Sequence, residues 1–198
     1  MPTLTIQTAT GEKSLPYPVA LAKLRIKVFQ EWPYLYEGHL DYEKGYLAYY
    51  AQSTQSIVVL AKDGEQIVGA STAMPMTAAN ADFQKPFEGS PYPLDSIFYL
   101  GESVLLPAYR GHGVGHQFFD AREAQAAECG YRYTAFCALD RTTEDPRCPK
   151  AYHSLEPFWE KRGYQKHPEI QTTLDWREVG DSTDSSHTLT FWIKELNT

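Results

Sequence analysis

The sequence has few of the residues that form disulfide frameworks and metal sites. Only three of its 198 residues are cysteines, Cys129, Cys137 and Cys148, and no two of them have the C-x-x-C spacing. An odd number of cysteines without that spacing indicates neither a disulfide framework nor a zinc site. The six histidines form no H-E-x-x-H pattern. We therefore expect reduced cysteines and no bound metal.

The sequence also lacks long apolar runs and an excess of positive charge. No stretch approaches the roughly 18 apolar residues of a membrane span, and the first residues do not resemble a secretory signal. The formal net charge of −7 argues against a general nucleic-acid binder, which needs a basic face to displace counterions. Local basic patches remain compatible with this charge. We expect a soluble, cytoplasmic protein with no nucleic-acid or membrane partner.

The remaining composition is that of a folded domain. Apolar residues make up 42% of the chain and aromatic residues 14%, which argues against disorder. A chain of this length can bury a core within one domain. We find no internal repeat, so the sequence predicts a single domain over residues 1–198.

The spacing of apolar residues predicts alternating strands and helices. Strands are predicted over residues 4–9, 56–62, 66–73, 97–105, 133–139, 170–176 and 188–195, the second and third joined by a tight turn at Asp63 and Gly64. Helices are predicted over residues 18–30, 42–51 with Asp41 as the N-cap, 113–129, and 152–162 ended by Gly163. Residues 75–93 hold four prolines and are predicted to form a long, partly ordered connection.

A glycine-rich turn between the fourth strand and the third helix is typical of an anion site. Gly111, Gly113 and Gly115 have no Cβ, so their backbone N–H groups can approach a phosphate closely. The following helix directs its unpaired amides at the same point. A Walker P-loop is excluded because the chain contains no Gly-Lys pair. A dinucleotide fingerprint would have His116 in place of its third glycine, but Asp140 after the next strand keeps this alternative open.

The order Arg110-x-x-Gly113-x-Gly115, after a strand that ends in Leu-Leu-Pro, closely resembles the acetyl-coenzyme A signature of the GCN5-related N-acetyltransferases. Phe158, Gly163 and Tyr164 extend the likeness further along the chain. The resemblance implies an α/β (α+β) fold. Its central sheet would be mixed but mostly antiparallel, with six to seven strands, a splayed parallel pair in the middle and about four flanking helices. Residues 97–164 would form the acetyl-CoA-binding core, and the helices within 18–51 would lie on the acceptor side.

The same resemblance implies which residues hold acetyl-CoA. In that family the backbone amides after the arginine bind the pyrophosphate, and amides at the end of the splayed strand polarise the thioester carbonyl. The residues implied here are Ser103, Val104, Leu105, Arg110, Gly111, His112, Gly113, Val114, Gly115 and His116.

Glu102 is the candidate general base. By strict alternation its carboxylate would share a face with Phe98 and Leu100, where a charge is costly without a task. Gly101 could instead mark a bulge that turns Glu102 to the other side. The resembled family often has both a bulge and an acidic base here. The alternative is a structural carboxylate bonded to backbone amides.

The general acid is where the sequence departs from the family pattern. The usual tyrosine before the glycine of the late helix is Trp159 here. Tyr152 and Tyr164 are the candidate replacements, with packing as the alternative role for each. The thiol of coenzyme A is acidic enough that a dedicated donor is dispensable.

Aromatic residues beside carboxylates in the first two helices and their link suggest an acceptor site. Trp32, Tyr34, Tyr36 and Glu37 would suit an amine, although amphipathic packing of two short helices explains the same residues. The function expected from the resemblance is N-acetylation of a small-molecule amine. An inactive acyl-CoA-binding sensor and an NAD-type oxidoreductase remain alternatives, and a homodimer is an open question.

Overall fold

In the computed structural model, residues 4–11 and 17–196 are described. They form a seven-stranded sheet in the order β1-β2-β3-β4-β5-β7-β6. The strands are β1 (Leu4–Thr10), β2 (Ile57–Asp63), β3 (Gln66–Pro75), β4 (Ile97–Leu105), β5 (Tyr133–Leu139), β6 (Gln165–Trp176) and β7 (Ser185–Glu195). Every neighbouring pair is antiparallel except β4 and β5, which are parallel. The predicted mixed sheet with one parallel pair is confirmed.

Five α-helices accompany the sheet in the described part of the chain. They are α1 (Pro18–Phe29), α2 (Leu40–Gln52), α3 (Ala81–Gln84), α4 (Val114–Glu128) and α5 (Glu156–Lys161). Buried side chains of α1 and α2 pack on one face of the sheet together with Val58, Leu60 and Val104. Buried side chains of α4 pack on the other face with Phe98 and Leu100. None of the helices in these residues is long and apolar enough to span a membrane.

The parallel pair separates soon after it forms. β4 and β5 are paired only from Ile97 to Tyr99 on β4 and from Tyr133 to Ala135 on β5. Beyond these residues β4 stays paired to β3 through Leu105, and β5 stays paired to β7 through Leu139. The facing edges of β4 and β5 are therefore unpaired toward their C-terminal ends, as the resemblance implies.

A bulge at Gly101 sets the orientation of the second half of β4. Leu100 pairs with Ala73 and Glu102 pairs with the adjacent Thr72, so Gly101 is the extra residue. A Cβ on Gly101 would lie only 2.0 Å from the hydroxyl of Tyr50, and glycine avoids this overlap. After the bulge, Glu102 and Val104 face α1 and α2, whereas Phe98 and Leu100 face α4. The predicted bulge is confirmed.

Three local predictions need correction. His39, and not Asp41, precedes the first turn of α2, and it makes no side-chain cap. The helix predicted over 152–162 begins only at Glu156, because the chain turns after Pro149 and the Ser154 hydroxyl accepts the Glu156 N–H. The connection at 75–93 is more ordered than predicted, since it includes α3 and short 3-10 turns whose Met76 and Phe87 are buried.

The loop between α1 and α2 is bound to the loop between β6 and β7. The Glu37 N–H donates to the Arg177 carbonyl at 2.9 Å, and the Val179 N–H donates to the Leu35 carbonyl at 2.7 Å. The Glu37 carboxylate also pairs with the Arg177 guanidinium at 2.7 Å. These contacts hold the α1–α2 loop beside the C-terminal end of β6.

Candidate active site

The glycine turn leads directly into α4. Gly111 and Gly113 have φ angles of +79° and +80°, the left-handed region that favours glycine. A Cβ at either residue would have no neighbour within 4 Å, so the space in front of the turn is open. No side chain caps the N-terminus of α4, and its first amides remain available to an anion. The sequence-predicted residues from Gly111 to His116 thus lie together at one helix end.

The open edge of β4 lies beside this helix end. Residues Glu102 to Leu105 use one edge for β3, and in an antiparallel pair only alternate residues bond to that neighbour. The Leu106 N–H donates to the Val68 carbonyl of β3 at 2.9 Å, so alternation directs the Val104 amide toward β3 as well. The amides of Ser103 and Leu105 therefore face the gap between β4 and β5. The strand edge and the helix end form one continuous surface of backbone donors.

Arg110 connects the turn to both the sheet and the α1–α2 loop. Its Nε donates to the Leu105 carbonyl at 3.0 Å, and its guanidinium pairs with Glu31 at 2.9 Å. His112 is exposed, and His116 contacts the Phe158 ring at 4.9 Å and the Arg162 guanidinium at 3.2 Å. Arg110 therefore holds the turn, whereas the two imidazoles lie at its surface.

A buried arginine of α4 binds the backbone at the bulge. Arg122 is 1% exposed and donates to the carbonyls of Thr72 and Glu102 at 3.3 and 3.1 Å and to the Ser103 hydroxyl at 2.9 Å. Burial lowers the pKa of its guanidinium to about 10, so the group stays charged at neutral pH. Arg122 binds carbonyl oxygens at the bulge and thereby fixes the backbone around Glu102 and Ser103.

Glu102 itself belongs to a buried ionic cluster. Its carboxylate pairs with the Arg25 guanidinium of α1, and Arg25 also donates to Glu43 of α2 at 2.5 Å. Glu43 is fully buried and accepts a second bond from the Tyr36 hydroxyl at 2.8 Å. Two carboxylates thus share one guanidinium. The sequence did not predict that Arg25 would join Glu102 to Glu43.

Two of the predicted acceptor residues, Trp32 and Tyr34, make separate aromatic contacts. The Trp32 ring meets the Tyr152 ring edge-on at 6.0 Å, and the Arg141 guanidinium lies 5.3 Å from the Trp32 ring. Tyr34 packs against Trp176, whose indole N–H donates to the Tyr34 carbonyl at 3.2 Å. Burial raises the pKa of both Tyr34 and Tyr152, so both phenols stay protonated at neutral pH.

The other two acceptor candidates have different partners. Tyr36 is bound to Glu43, and burial followed by this hydrogen bond raises its pKa. Glu37 is paired with Arg177 in the contact between the two loops. The structure thus joins Tyr36 to the ionic cluster of Glu102 and places Glu37 at the loop junction.

Tyr164 and Trp159 lie in the interior between α4, α5 and the sheet. The Tyr164 hydroxyl donates to Glu123 at 3.0 Å and lies 3.0 Å from the Thr134 hydroxyl. Burial and the nearby Glu123 carboxylate raise the pKa of Tyr164. The Trp159 ring packs on Phe136 at 5.0 Å. Tyr164 is thus already bound to a carboxylate, away from the cluster of Glu102.

Both the sequence pattern and the fold have known counterparts. A model of the "Acetyltransferase (GNAT) family" matches residues 25–164. No curated protein matches the chain by sequence. Among solved structures, ribosomal-protein-alanine N-acetyltransferase from Brucella melitensis is similar with a TM-score of 0.60 and 18% identity, covering 97% of this chain and 99% of that one.

Two further structures share the fold. The protein yncA from Salmonella typhimurium, solved with its cofactor acetyl-CoA, has a TM-score of 0.58 and 12% identity over 98% of this chain and 94% of that one. An acetyltransferase from Thermus thermophilus has a TM-score of 0.57 and 17% identity over 99% and 100% of the two chains. At these identities the likeness establishes the fold alone.

Proposed function

The chain belongs to the acetyltransferase (GNAT) family, and from that premise we propose that it transfers the acetyl group of acetyl-CoA to the amine of a small molecule. One observation carries the proposal. The unpaired edge of β4 beyond Tyr99 continues into the uncapped N-terminus of α4, so donors for a carbonyl and for phosphates follow one another along a single surface.

The residues present fit acetyl-CoA. Positive φ angles and open space at Gly111 and Gly113 allow a diphosphate to approach the amides of residues 111–116 closely. The free amides of Ser103 and Leu105 suit the amide groups of a pantetheine chain, which would lie along β4 as an added strand. Acetyl-CoA supplies an activated acetyl thioester, and the protein supplies binding, orientation and proton transfer.

Glu102 is the proposed general base, acting directly or through water. It lies immediately after the bulge, on the face covered by α1 and α2, and Arg25 holds its carboxylate in place. The guanidinium favours the ionised carboxylate that a base requires. Because Glu43 shares the same guanidinium, the charge of Glu102 is only partly compensated. Removing a positioned base typically slows turnover about 10²- to 10⁴-fold.

Tyr152 is the better supported of the two candidate acids. Its ring contacts Trp32, which lies 5.3 Å from the guanidinium of Arg141 just after β5, and its phenol carries a proton at neutral pH. The bond from Tyr164 to Glu123 and its burial in the interior support a packing role for Tyr164. The departing thiolate also has a pKa low enough to leave without a donor.

The acetyl-CoA site is tested by Gly113→Ala with Gly130→Ala as the matched control. Both glycines flank α4, both have φ near +80°, and a methyl group added at either would have no neighbouring atom within 4 Å. Both substitutions strain the backbone by roughly 1–2 kcal/mol. We expect only Gly113→Ala to weaken acetyl-CoA binding in calorimetry, by tenfold or more. Equal affinity in the two variants would refute the proposed site.

The role of Glu102 is tested by Glu102→Gln. The amide keeps the shape and leaves Arg25 paired one-to-one with Glu43. We expect kcat to fall at least about 10²-fold, with little change in the affinity for acetyl-CoA, and the acidic limb of the pH–rate profile to disappear. An unchanged profile and rate would remove Glu102 from the mechanism.

An acyl-CoA-binding sensor without turnover is the second candidate. It is favoured by Trp159, whose indole packs on Phe136 and Trp192 and supplies no hydroxyl where the family commonly has a tyrosine. Thiol release from acetyl-CoA with a panel of amines separates the two candidates. Binding of acetyl-CoA in calorimetry without thiol release across the panel would favour the sensor.

A further inference from the structure

A cavity of about 410 Å³ lies between α2, α3 and the first half of β4. We call it the α2 cavity; its walls include Tyr42, Gly45, Tyr46, Tyr50, Phe83 and Tyr99. Its volume falls within the roughly 300–1,000 Å³ of small-molecule sites. Trp32, Tyr34, Tyr36 and Glu37 do not line it, whereas other aromatic residues of the same two helices do. The cavity therefore needs an explanation of its own.

The walls of the α2 cavity are aromatic and bear few polar groups. Phe83 stacks on Tyr99 with ring centroids 4.9 Å apart, and the Tyr46 and Tyr50 rings meet edge-on at 5.8 Å. The polar groups inside are phenols, with the hydroxyls of Tyr46 and Tyr50 only 3.1 Å apart. Such walls favour a flat apolar group, and they penalise a second buried charge.

The mouth of the cavity differs from its interior. Asp41 lies at the rim with a fully exposed carboxylate, which the Lys44 ammonium approaches at 3.6 Å and partly offsets. Tyr42 is 65% exposed, unusual for so large a ring. A rim carboxylate attracts a cation before it enters, and the net charge of −7 acts in the same direction. An exposed tyrosine beside it offers an aromatic face to the same cation. Both features suit an ammonium group.

The inner end of the cavity reaches the point where β4 leaves β5. Tyr99 is the last residue of β4 that pairs with β5. The Tyr50 hydroxyl lies against Gly101, the bulge residue that precedes Glu102. On the far side of the Tyr46 ring, 4.3 Å from its centroid, lies the Arg25 guanidinium that holds Glu102. Glu102 itself does not line the cavity, and the Tyr46 and Tyr50 side chains lie between a molecule there and the proposed base.

Gly45 explains how the helix leaves room for a ligand. It lies inside α2, where glycine is the least favourable residue apart from proline. It lines the cavity, and a Cβ there would have no neighbour within 4 Å. Gly45 is exposed, so the absence of a side chain leaves this part of the cavity wall open.

We propose that the α2 cavity is the acceptor pocket and that the acceptor is a primary amine on a short chain attached to an aromatic ring, an arylalkylamine. The inference rests on the proposed acetyl transfer and specifies its substrate class. The ring packs between the tyrosines and Phe83, and the short chain carries the amine toward Gly101 and Glu102. A polyamine would bring a second charge into the aromatic walls.

The test uses the intact chain saturated with coenzyme A and phenethylamine as the probe, with spermidine and alanine amide for comparison. Calorimetry measures binding, and thiol release from acetyl-CoA measures turnover. Gly45→Leu fills the cavity from α2. Ala48→Leu is the matched control, because Ala48 is exposed on the same helix and does not line the cavity.

We expect phenethylamine to bind at least tenfold more tightly than spermidine or alanine amide. Gly45→Leu should weaken phenethylamine binding at least tenfold and leave the affinity for coenzyme A unchanged, and Ala48→Leu should alter neither. Equal loss in both variants, no loss in Gly45→Leu, or tighter binding of spermidine would each overturn the pocket assignment. Phenethylamine binding that depends on Gly45, without thiol release from any amine, would support the pocket and refute the proposed acetyl transfer.

Discussion

The close contact between Gly101 and the Tyr50 hydroxyl allows a quantitative prediction of stability. A methyl group added by Gly101→Ala would lie 2.0 Å from the Tyr50 hydroxyl and 2.9 Å from the Thr72 hydroxyl. Tyr50 is 2% exposed and β4 is held on its other side by Arg122, so neither partner can withdraw easily. Overpacking of this kind costs about 1–3 kcal/mol. For a domain of this size, about 2 kcal/mol corresponds to a fall in Tm of about 4–8 °C.

Removing the hydroxyl should relieve most of that cost. Tyr50→Phe deletes the oxygen nearest to the new methyl group and alone costs about 1 kcal/mol, because the bond to the Tyr46 hydroxyl is lost. The double variant Gly101→Ala/Tyr50→Phe should then be less destabilised than the sum of the two single variants, by about 1–2 kcal/mol. The relief is incomplete because the Thr72 hydroxyl still lies 2.9 Å from the methyl group.

Urea unfolding of the four chains, followed by tryptophan fluorescence, measures this coupling. Unchanged m-values would show that each variant exposes the same surface area on unfolding as the wild type. Gly45→Ala serves as the control for a methyl group added in open space, and we expect it to be neutral or stabilising because alanine favours the helix. Free energies that add within about 0.3–0.5 kcal/mol would refute the contact between Tyr50 and the bulge.

Two further predictions concern buried charge. Arg25→Met leaves the carboxylates of Glu43 and Glu102 buried without their shared guanidinium, and should lower the free energy of unfolding in urea by about 3–5 kcal/mol. The double variant Arg25→Met/Glu43→Gln should recover part of that loss. An Arg25→Met variant as stable as the wild type would contradict the cluster. Burial lowers the pKa of His187 from 6.5, so the unfolded chain binds the proton more readily. The stability that neutral His187 contributes is therefore fully present above about pH 6.5 and is lost as the pH falls through its lowered folded pKa. His187→Phe keeps the stack on Trp176, and its Tm should fall less than that of the wild type between about pH 7.5 and 5.5; an equal fall would contradict the assignment.

The elements whose signals are local could be predicted from the sequence. The hairpin of β2 and β3 follows from two apolar runs on either side of the Asp63-Gly64 turn signal; the turn residues are Gly64, with a φ of +57°, and Glu65. The bulge follows from the combination of Gly101 with a carboxylate in the next position of an apolar strand. In contrast, the start of α5 depends on the Ser154 hydroxyl and on the turn after Pro149, whose geometry composition alone does not reveal.

The charged residues that support the site were missed because they lie on helices, where charge is usually solvated. A signal was nevertheless present. Arg25 lies four residues after Leu21 of α1, and Glu43 lies four residues before Leu47 of α2, so each falls on an apolar face. Arg122 lies four residues after Phe118 on the buried face of α4. A charge in phase with an apolar stripe indicates a buried partner, but only the tertiary structure identifies that partner.

Those residues explain why the bulge can serve as the organising point of the site. Arg122 holds it from the α4 side through the Thr72 and Glu102 carbonyls, and Arg25 holds the Glu102 carboxylate from the α1 side. A strand without its bulge would turn every later side chain to the opposite face. Glu102 would then leave Arg25, and the Ser103 hydroxyl would leave Arg122. The contacts of both arginines thus favour the same register, in which Glu102 faces α1 and α2 while the free edge of β4 continues to the glycine turn.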